Sequence, residues 1–233
     1  MKKIICFCIM MVTAINLFAQ KKDVTTFLGI PVDGSKYEMK RKLMAKGFIP
    51  QEVGTKNEHL KGEFNGTDVN IYIVTNNNKV YRIMVGDANT QDEANIKIRF
   101  NKLVSQFENN KRYISLDKYT LSDDENISYE MKLHNKVYDA IYYQAPQLEH
   151  IDSLAMQQQI SEKLLGKYTK EQLTDPTKKE EIIQDIQNIS IDISFDLMSK
   201  KPVWFRISEL SYGEYYIVMY YDNEYNMANG EDL

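Results

Sequence analysis

The chain has 233 residues, with 29 basic side chains against 33 acidic ones and a formal charge of −4. Its lysines and arginines are dispersed and no basic cluster is interleaved with aromatics, which excludes a nucleic-acid footprint. The two cysteines, Cys6 and Cys8, both lie in an apolar run near the start. Everything beyond them therefore lacks disulfides, thiolate metal sites and cysteine nucleophiles, and stability must come from the core alone.

Lys2 and Lys3 precede the apolar run Ile4 to Phe18, which ends in Leu17-Phe18-Ala19 before Gln20 and a charged stretch. That order of basic, apolar and small residues predicts a secretory signal over residues 1–19, cleaved after Ala19. The alternative is a membrane anchor, but the run is shorter than the roughly 20 residues a span needs. Cleavage would remove two of the 29 basic residues and leave 27 against 33 acidic ones, a formal charge of −6. The expected location is the periplasm or the cell exterior, with no membrane span after cleavage.

A first unit, residues 20–88, starts with a β-prone segment from Val24 to Ile30. It must turn at Pro31-Val-Asp-Gly34, because proline cannot donate to a ladder and glycine takes positive φ. Ser35 and Glu38 have capping-box spacing, so a helix starts at Lys36; Gly47 suits its C-terminal cap. Asn65-Gly66 between Leu60–Phe64 and Val69–Val74 is a hairpin signal, and Asn76 to Asn78 turns the chain into a strand over Val80–Val85.

A second unit, residues 89–233, repeats this order at greater length. Thr90 and Glu93 again have capping-box spacing, and Ile96, Phe100, Leu103, Val104 and Phe107 follow at helical intervals, which predicts a helix from Gln91. The acidic cluster Ser122-Asp-Asp-Glu125 reads as a solvated turn, since it lacks the alternating oxygens and glycine of a calcium loop. Ile127, Tyr129, Met131 and Leu133 alternate with polar residues, predicting a half-buried strand that turns at His134-Asn-Lys136 into a strand over Val137–Tyr143. A helical insertion over 146–188 follows, its second helix starting at Asp175-Pro176. Alternation resumes at Ile189, Ile191, Ile193, Phe195 and Leu197, predicting another strand. Val203–Ile207 and Tyr215–Tyr221, joined near Gly213, complete the sheet, and the tail from Asp222 is polar enough to fray.

The expected class is α+β: two helix-plus-antiparallel-strand units, preferably forming one continuous sheet with both helices on one face. Short hairpins favour antiparallel neighbours, because parallel ones need long crossovers. If Ile71, Ile73, Ile83, Val85, Met131, Leu133, Ile141, Val203, Phe205, Ile217 and Met219 face the helices, period two turns Tyr72, Arg82, Tyr142, Trp204, Arg206, Tyr216 and Tyr220 the other way. These types dominate binding hot spots, so that face is the candidate binding surface. Two plainer readings stand beside it: tyrosine is β-prone in any sheet, and the helical insertion could cover the face.

The leader ending in Phe18-Ala19-Gln20, the opening Phe27-Leu-Gly-Ile-Pro-Val-Asp-Gly-Ser35, the strand end Ile207-Ser-Glu209 and the closing Tyr221-Asp222, Asn226 and Glu231-Asp-Leu233 together resemble a group of small exported proteins of Bacteroides and relatives. The resemblance spans most of the chain and implies no particular activity; the 146–188 insertion departs from its shorter members. At fold level the repeated order is similar to β-lactamase-inhibitor-protein-like modules, which are binding proteins. Such an analogy does not assign a function.

Catalytic chemistry has few candidate positions. His59, His134 and His150 fall on different elements, and only Glu149-His-Ile-Asp152 clusters a histidine with carboxylates. Its plainer reading is a polar loop with Asp152 or Ser153 as helix cap. The sequence carries no phosphate-binding glycine loop, nucleophile elbow or zinc-protease motif. Asp152-Ser153-Leu154 also resembles the O-glycosylation acceptor that Bacteroides-type bacteria use on exported proteins, which makes Ser153 a candidate modification site. The leading expectation is therefore a non-catalytic binding module needing no cofactor, with a protein or glycan partner in the cell envelope. The alternative is a hydrolase or other enzyme with an unrecognised carboxylate and histidine site.

Overall fold

In the computed structural model, residues 22–51, 58–147 and 153–228 are described. The expected leader, His150, Asp152 and the terminal Glu231-Asp-Leu233 lie outside the described residues. Contacts divide the chain into two compact units, one of Val24–Ala145 with Asp192–Leu233, the other of Met1–Asp23 with Pro146–Ile191.

The larger unit opens with a minimal hairpin, β1 (Thr26–Phe27) and β2 (Ile30–Pro31), whose turn residues Leu28 and Gly29 both take positive φ. The β-prone segment Val24–Ile30 is thus folded back on itself rather than running as one strand, because Gly29 lets the chain reverse early. Helix α1 (Lys36–Ala45) starts at the expected capping box, in which the Ser35 hydroxyl accepts from the Glu38 amide and the Glu38 carboxylate accepts from the Ser35 amide. The Ser35 amide and hydroxyl, both donating to the charged carboxylate, hold the Glu38 carboxyl below its usual range. Met39 and Leu43 are the buried side of this helix.

Four strands follow as a meander: β3 (Ile49–Gln51), β4 (His59–Phe64), β5 (Thr67–Asn76) and β6 (Lys79–Asp87). Asn65-Gly66 and Asn77-Asn78 form their tight turns with positive φ at both residues, the twist that a two-residue hairpin needs. Helix α2 (Glu93–Glu108) buries Ile96, Phe100, Leu103, Val104 and Phe107. Its cap is Asp92, whose carboxylate accepts from the Asn95 amide, and not Thr90. Glu93 is drawn away from a capping box because its carboxylate accepts instead from the Ile127 amide and the Ser128 hydroxyl.

Those bonds also explain a correction. Ile127–Leu133 is a helix, α3, and not a strand. Asn126 caps it by accepting from the Tyr129 amide, Ile127 is buried, Met131 one turn on packs against the core, and Tyr129 and Leu133 are exposed. The alternating apolar residues satisfied two periods, and the cap decided between them. Past β7 (Tyr113–Ser115), which precedes α3, and past α3 itself, Asn135 at positive φ turns the chain toward β8 (Asp139–Gln144).

The smaller unit is helical. Its α4 (Ser153–Lys167) leads to α5 (Lys170–Thr174), capped reciprocally by Thr169 and Gln172, and a 3-10 turn at Pro176–Lys178 enters α6 (Lys179–Ser199), whose residues from Asp192 on belong to the larger unit. Within this unit the Tyr168 hydroxyl donates to the Glu181 and Asp185 carboxylates, and Lys167 pairs with Asp185 at 2.6 Å. Accepting these bonds holds both carboxyls below their usual range. The strand expected over Ile189–Leu197 is absent: α6 runs unbroken to Ser199, burying Ile193 and Met198 and leaving Ile191 and Phe195 exposed. No proline or glycine falls between Gln187 and Ser199 to stop a helix already propagating.

The chain returns through β9 (Pro202–Ser211) and β10 (Glu214–Asp222), joined at Gly213, and ends its described part in a 3-10 turn, Glu224–Asn226. This described part of the tail is pinned and not frayed: Asn226 donates to the Val80 carbonyl and Asp33 carboxylate, and the buried Asn223 donates to the Val32 carbonyl; residues 229–233 lie outside the described residues.

All eight strands β3 to β10 form one antiparallel sheet, ordered β3-β4-β5-β6-β10-β9-β8-β7. Each half is a meander of four strands under a helix, α1 or α2, with α3 inserted in the second half, and each offers its last strand to the other. Residues of α1 and α2 join one hydrophobic cluster with Ile71, Ile83, Phe205 and Ile217, which puts both helices on the same sheet face.

Gly62 in β4 is a site where packing leaves no room, since a Cβ there would sit 2.5 Å from the Phe48 ring. Gly86 in β6 meets nothing within 4 Å. Gly62→Ala should therefore cost about 1–3 kcal/mol by overpacking, and Gly86→Ala should change stability little; urea midpoints of the two variants check the contrast.

Candidate functional site

Strand register fixes what shares the sheet face opposite the helices. Tyr220 of β10 pairs directly with Trp204 of β9 and, on its other side, with Met84 of β6, which pairs with Tyr72 of β5. One step along, Arg82 of β6 pairs with Asp222 of β10. Direct partners on one face are the closest side-chain neighbours a sheet offers.

The result is a stacked platform. The Trp204 and Tyr220 rings lie 3.9 Å apart between centroids, 16° from parallel. The Arg82 guanidinium sits 4.9 Å from the Tyr220 ring and 5.6 Å from Trp204, and Arg206 lies 5.2 Å from the Trp204 ring. One carboxylate holds it in place: Asp222 accepts from Arg82 Nε at 2.6 Å, from an Arg82 terminal nitrogen at 2.8 Å and from the Trp204 indole at 2.9 Å. Its own backbone carbonyl accepts from the Thr25 hydroxyl. The Asp222 side chain is only 3% exposed, and Arg82 is 23% exposed. The paired carboxylate raises the Arg82 pKa against the opposing effect of burial, while burial raises that of the Tyr220 phenol.

Six of the seven expected face residues, Tyr72, Arg82, Trp204, Arg206, Tyr216 and Tyr220, are half-buried on this face. Tyr72 lies at its far side, stacked on His59 of β4 at 5.3 Å. Arg206 is paired with Asp139 at 3.5 Å. Tyr216 stands opposite Ser208.

Tyr142 is the exception. It is fully buried on the helix side, stacked on Phe107 at 4.6 Å and edge-on to Tyr119. The phase of β8 is the reverse of that expected: Ala140, Tyr142 and Gln144 are buried, and Ile141 pairs with Trp204 on the open face. Tyr142 packs its ring against both Phe107 and Phe205, contact that the smaller Ile141 would not supply, and Gln144 is held by bonds with Thr26. Asp222, which organises the platform, was missed by the sequence reading, although it stands two residues past Tyr220 and period two puts it on the same face.

The remaining candidates fall apart in space. His134 pairs with Glu130 at 2.8 Å on exposed α3, His59 is buried against Tyr72, and His150 lies outside the described residues. Among the described residues no three His, Cys, Asp or Glu side chains are grouped to hold a metal ion. Ser153 is exposed at the start of α4, beside an exposed Leu154, while Asp152 is outside the described residues. No described helix is long and apolar enough to cross a membrane. Comparison with protein-family models, curated proteins and solved structures finds no match for the chain.

Two substitutions separate the faces. Asp222→Ala leaves the Arg82 guanidinium without its carboxylate and should cost on the order of 3 kcal/mol, with a shift in Trp204 emission. The Tyr142 hydroxyl is buried with no hydrogen-bond partner among the described residues, so Tyr142→Phe should be neutral or stabilising by up to about 1 kcal/mol. Chemical denaturation followed by Trp204 fluorescence and by circular dichroism measures both.

A pH effect belongs to the same corner of the molecule. Burial, together with the nearby Asp222 charge, raises the Glu224 pKa above its usual value. The folded chain then binds a proton more readily than the unfolded one, so stability is lost as pH rises through the folded pKa. Glu224→Gln should raise the melting temperature at neutral pH and leave it unchanged below the ordinary glutamate range.

Proposed function

We propose that the protein is a non-catalytic binding module of the cell envelope, exported behind the leader that ends at Ala19, and that a protein or glycan partner lands on the Trp204–Tyr220 platform. The observation that carries this reading is the Asp222-centred stack. Tryptophan, tyrosine and arginine supply large contact areas with polar ends and dominate binding hot spots. Immobilising such a side chain on binding costs roughly 0.5–1.5 kcal/mol, a cost already met when Asp222 holds Arg82 and Trp204 before any partner arrives. Arg82 and Arg206 are each matched by a carboxylate, Asp222 and Asp139. The platform favours aromatic and polar contacts over capture of a strongly charged surface.

Trp204 is the sole tryptophan, so its emission reports on this face without labelling. In the free protein acrylamide should quench it to an intermediate degree, and partner bound from a native envelope extract should reduce that quenching. Arg206→Ala and Tyr216→Ala, both on the platform's margin, should weaken capture at least tenfold, about 1.4 kcal/mol, with melting temperature nearly unchanged. Equal capture by wild type and both variants, or complete shielding of Trp204 in the free protein, would rule the reading out.

A further inference from the structure

The helix side of the same sheet carries a second feature that the platform does not involve. Where the β4–β5 turn approaches the C-terminal end of α2, an open recess of about 320 Å³ lies over Met219 and Tyr221 of β10. That is the lower end of the range for small-molecule sites, and at about 30 Å³ per water it is room for roughly ten waters.

Its lining is chemically selective. Phe64, Phe107, Tyr113 and Tyr221 supply ring surface, and Asn65, Gln106 and Asn110 supply carboxamides; none of the lining side chains is charged. Met219 and Tyr221 are 3% and 4% exposed, so the floor is fixed. The amides stand at the exposed rim, where Asn65 donates to Gln106 at 2.7 Å. Phe107 is buried with its ring stacked on Tyr142 and meets Tyr113 at 58°, so the open ring surface is that of the half-buried Phe64 and Tyr113, with no parallel jaw between Phe107 and Tyr113 for a flat aromatic guest.

We infer that this recess is a binding site for an uncharged, sugar-like ring, with the C–H face of a pyranose against the aromatic wall and its hydroxyls on the carboxamides of Asn65, Gln106 and Asn110. A carboxamide presents a donor and an acceptor side by side, which matches neighbouring hydroxyls. No lining side chain is charged, so a phosphorylated or carboxylated guest would find no direct ion pair in the recess; the nearby Arg112 guanidinium stands over the Tyr113 ring, 6.0 Å from its centroid.

The test is a proton–nitrogen NMR titration of the full chain with the methyl glycosides of glucose, galactose, mannose and N-acetylglucosamine, and with indole as the flat aromatic control. At least one glycoside should shift the side-chain amide signals of Asn65, Gln106 and Asn110 while Trp204 emission stays constant. Asn65→Gly keeps the positive φ that this turn position requires, and with Gln106→Ala it removes the amide pair from an exposed rim. The double variant should fold and bind that glycoside at least tenfold more weakly. The assignment is overturned if no glycoside shifts these amides at millimolar concentration, if indole binds and the glycosides do not, or if the folded double variant binds as tightly as the wild type. Because Trp204 reports separately on the opposite face, failure here is distinguishable from failure of the platform.

Discussion

The antiparallel pairing of β6 with β10 is the contact on which the larger unit depends. Each half of the sheet is a meander whose last strand would otherwise present an unsatisfied row of amides and carbonyls, and the two last strands satisfy one another. The same ladder brings Ile83 beside Tyr221 and Val85 beside Met219 on the helix side, so residues under α1 and residues under α2 become one core. On the opposite side it sets Arg82 against Asp222. A slip of one residue would reverse every one of these side chains, which makes the platform a product of register and not of local sequence.

Much of this was legible where a local signal had one meaning. The Ser35 capping box, the Asn65-Gly66 turn and the stripe from Ile96 to Phe107 each satisfy one backbone geometry and no other, and they were found in place. The reading failed where an apolar series fits two periods. Ile127 to Leu133 and Ile189 to Leu197 both alternate, yet both are helical. In the first, a long-range acceptor, Glu93, and the Asn126 cap decided it; in the second, the helix had begun ten residues earlier and met nothing to end it. Tyr142 shows a third limit, because its phase in β8 follows from packing on Phe107 and Phe205, the latter far away in sequence.

The candidate surfaces divide along the same line. Types and alternation pointed to Trp204, Tyr220 and Arg82, since a strand's period puts them on one face without further knowledge. Asp222 gives those residues their geometry, and it was hidden because a single aspartate at a strand end carries no composition signal. The recess over Met219 was less visible still. Its amides come from a turn and a helix end, its rings from three strands and a helix, and only the assembled sheet brings them around one recess.

The lengths of the outermost strands have a consequence of their own. The two central strands β6 and β10 have nine residues each and β5 and β9 ten, but the borders β3 and β7 have three apiece, and β3 contains Pro50. A wide, tyrosine-rich antiparallel sheet is a template on which further chains could polymerise through their free borders. Three-residue borders offer an incoming strand only one or two bonds, and a proline removes one donor of those. The molecule can therefore carry a broad, sticky aromatic surface and still resist growing into ribbons, because the risk lies at the rim of a sheet and here the rim has been cut short.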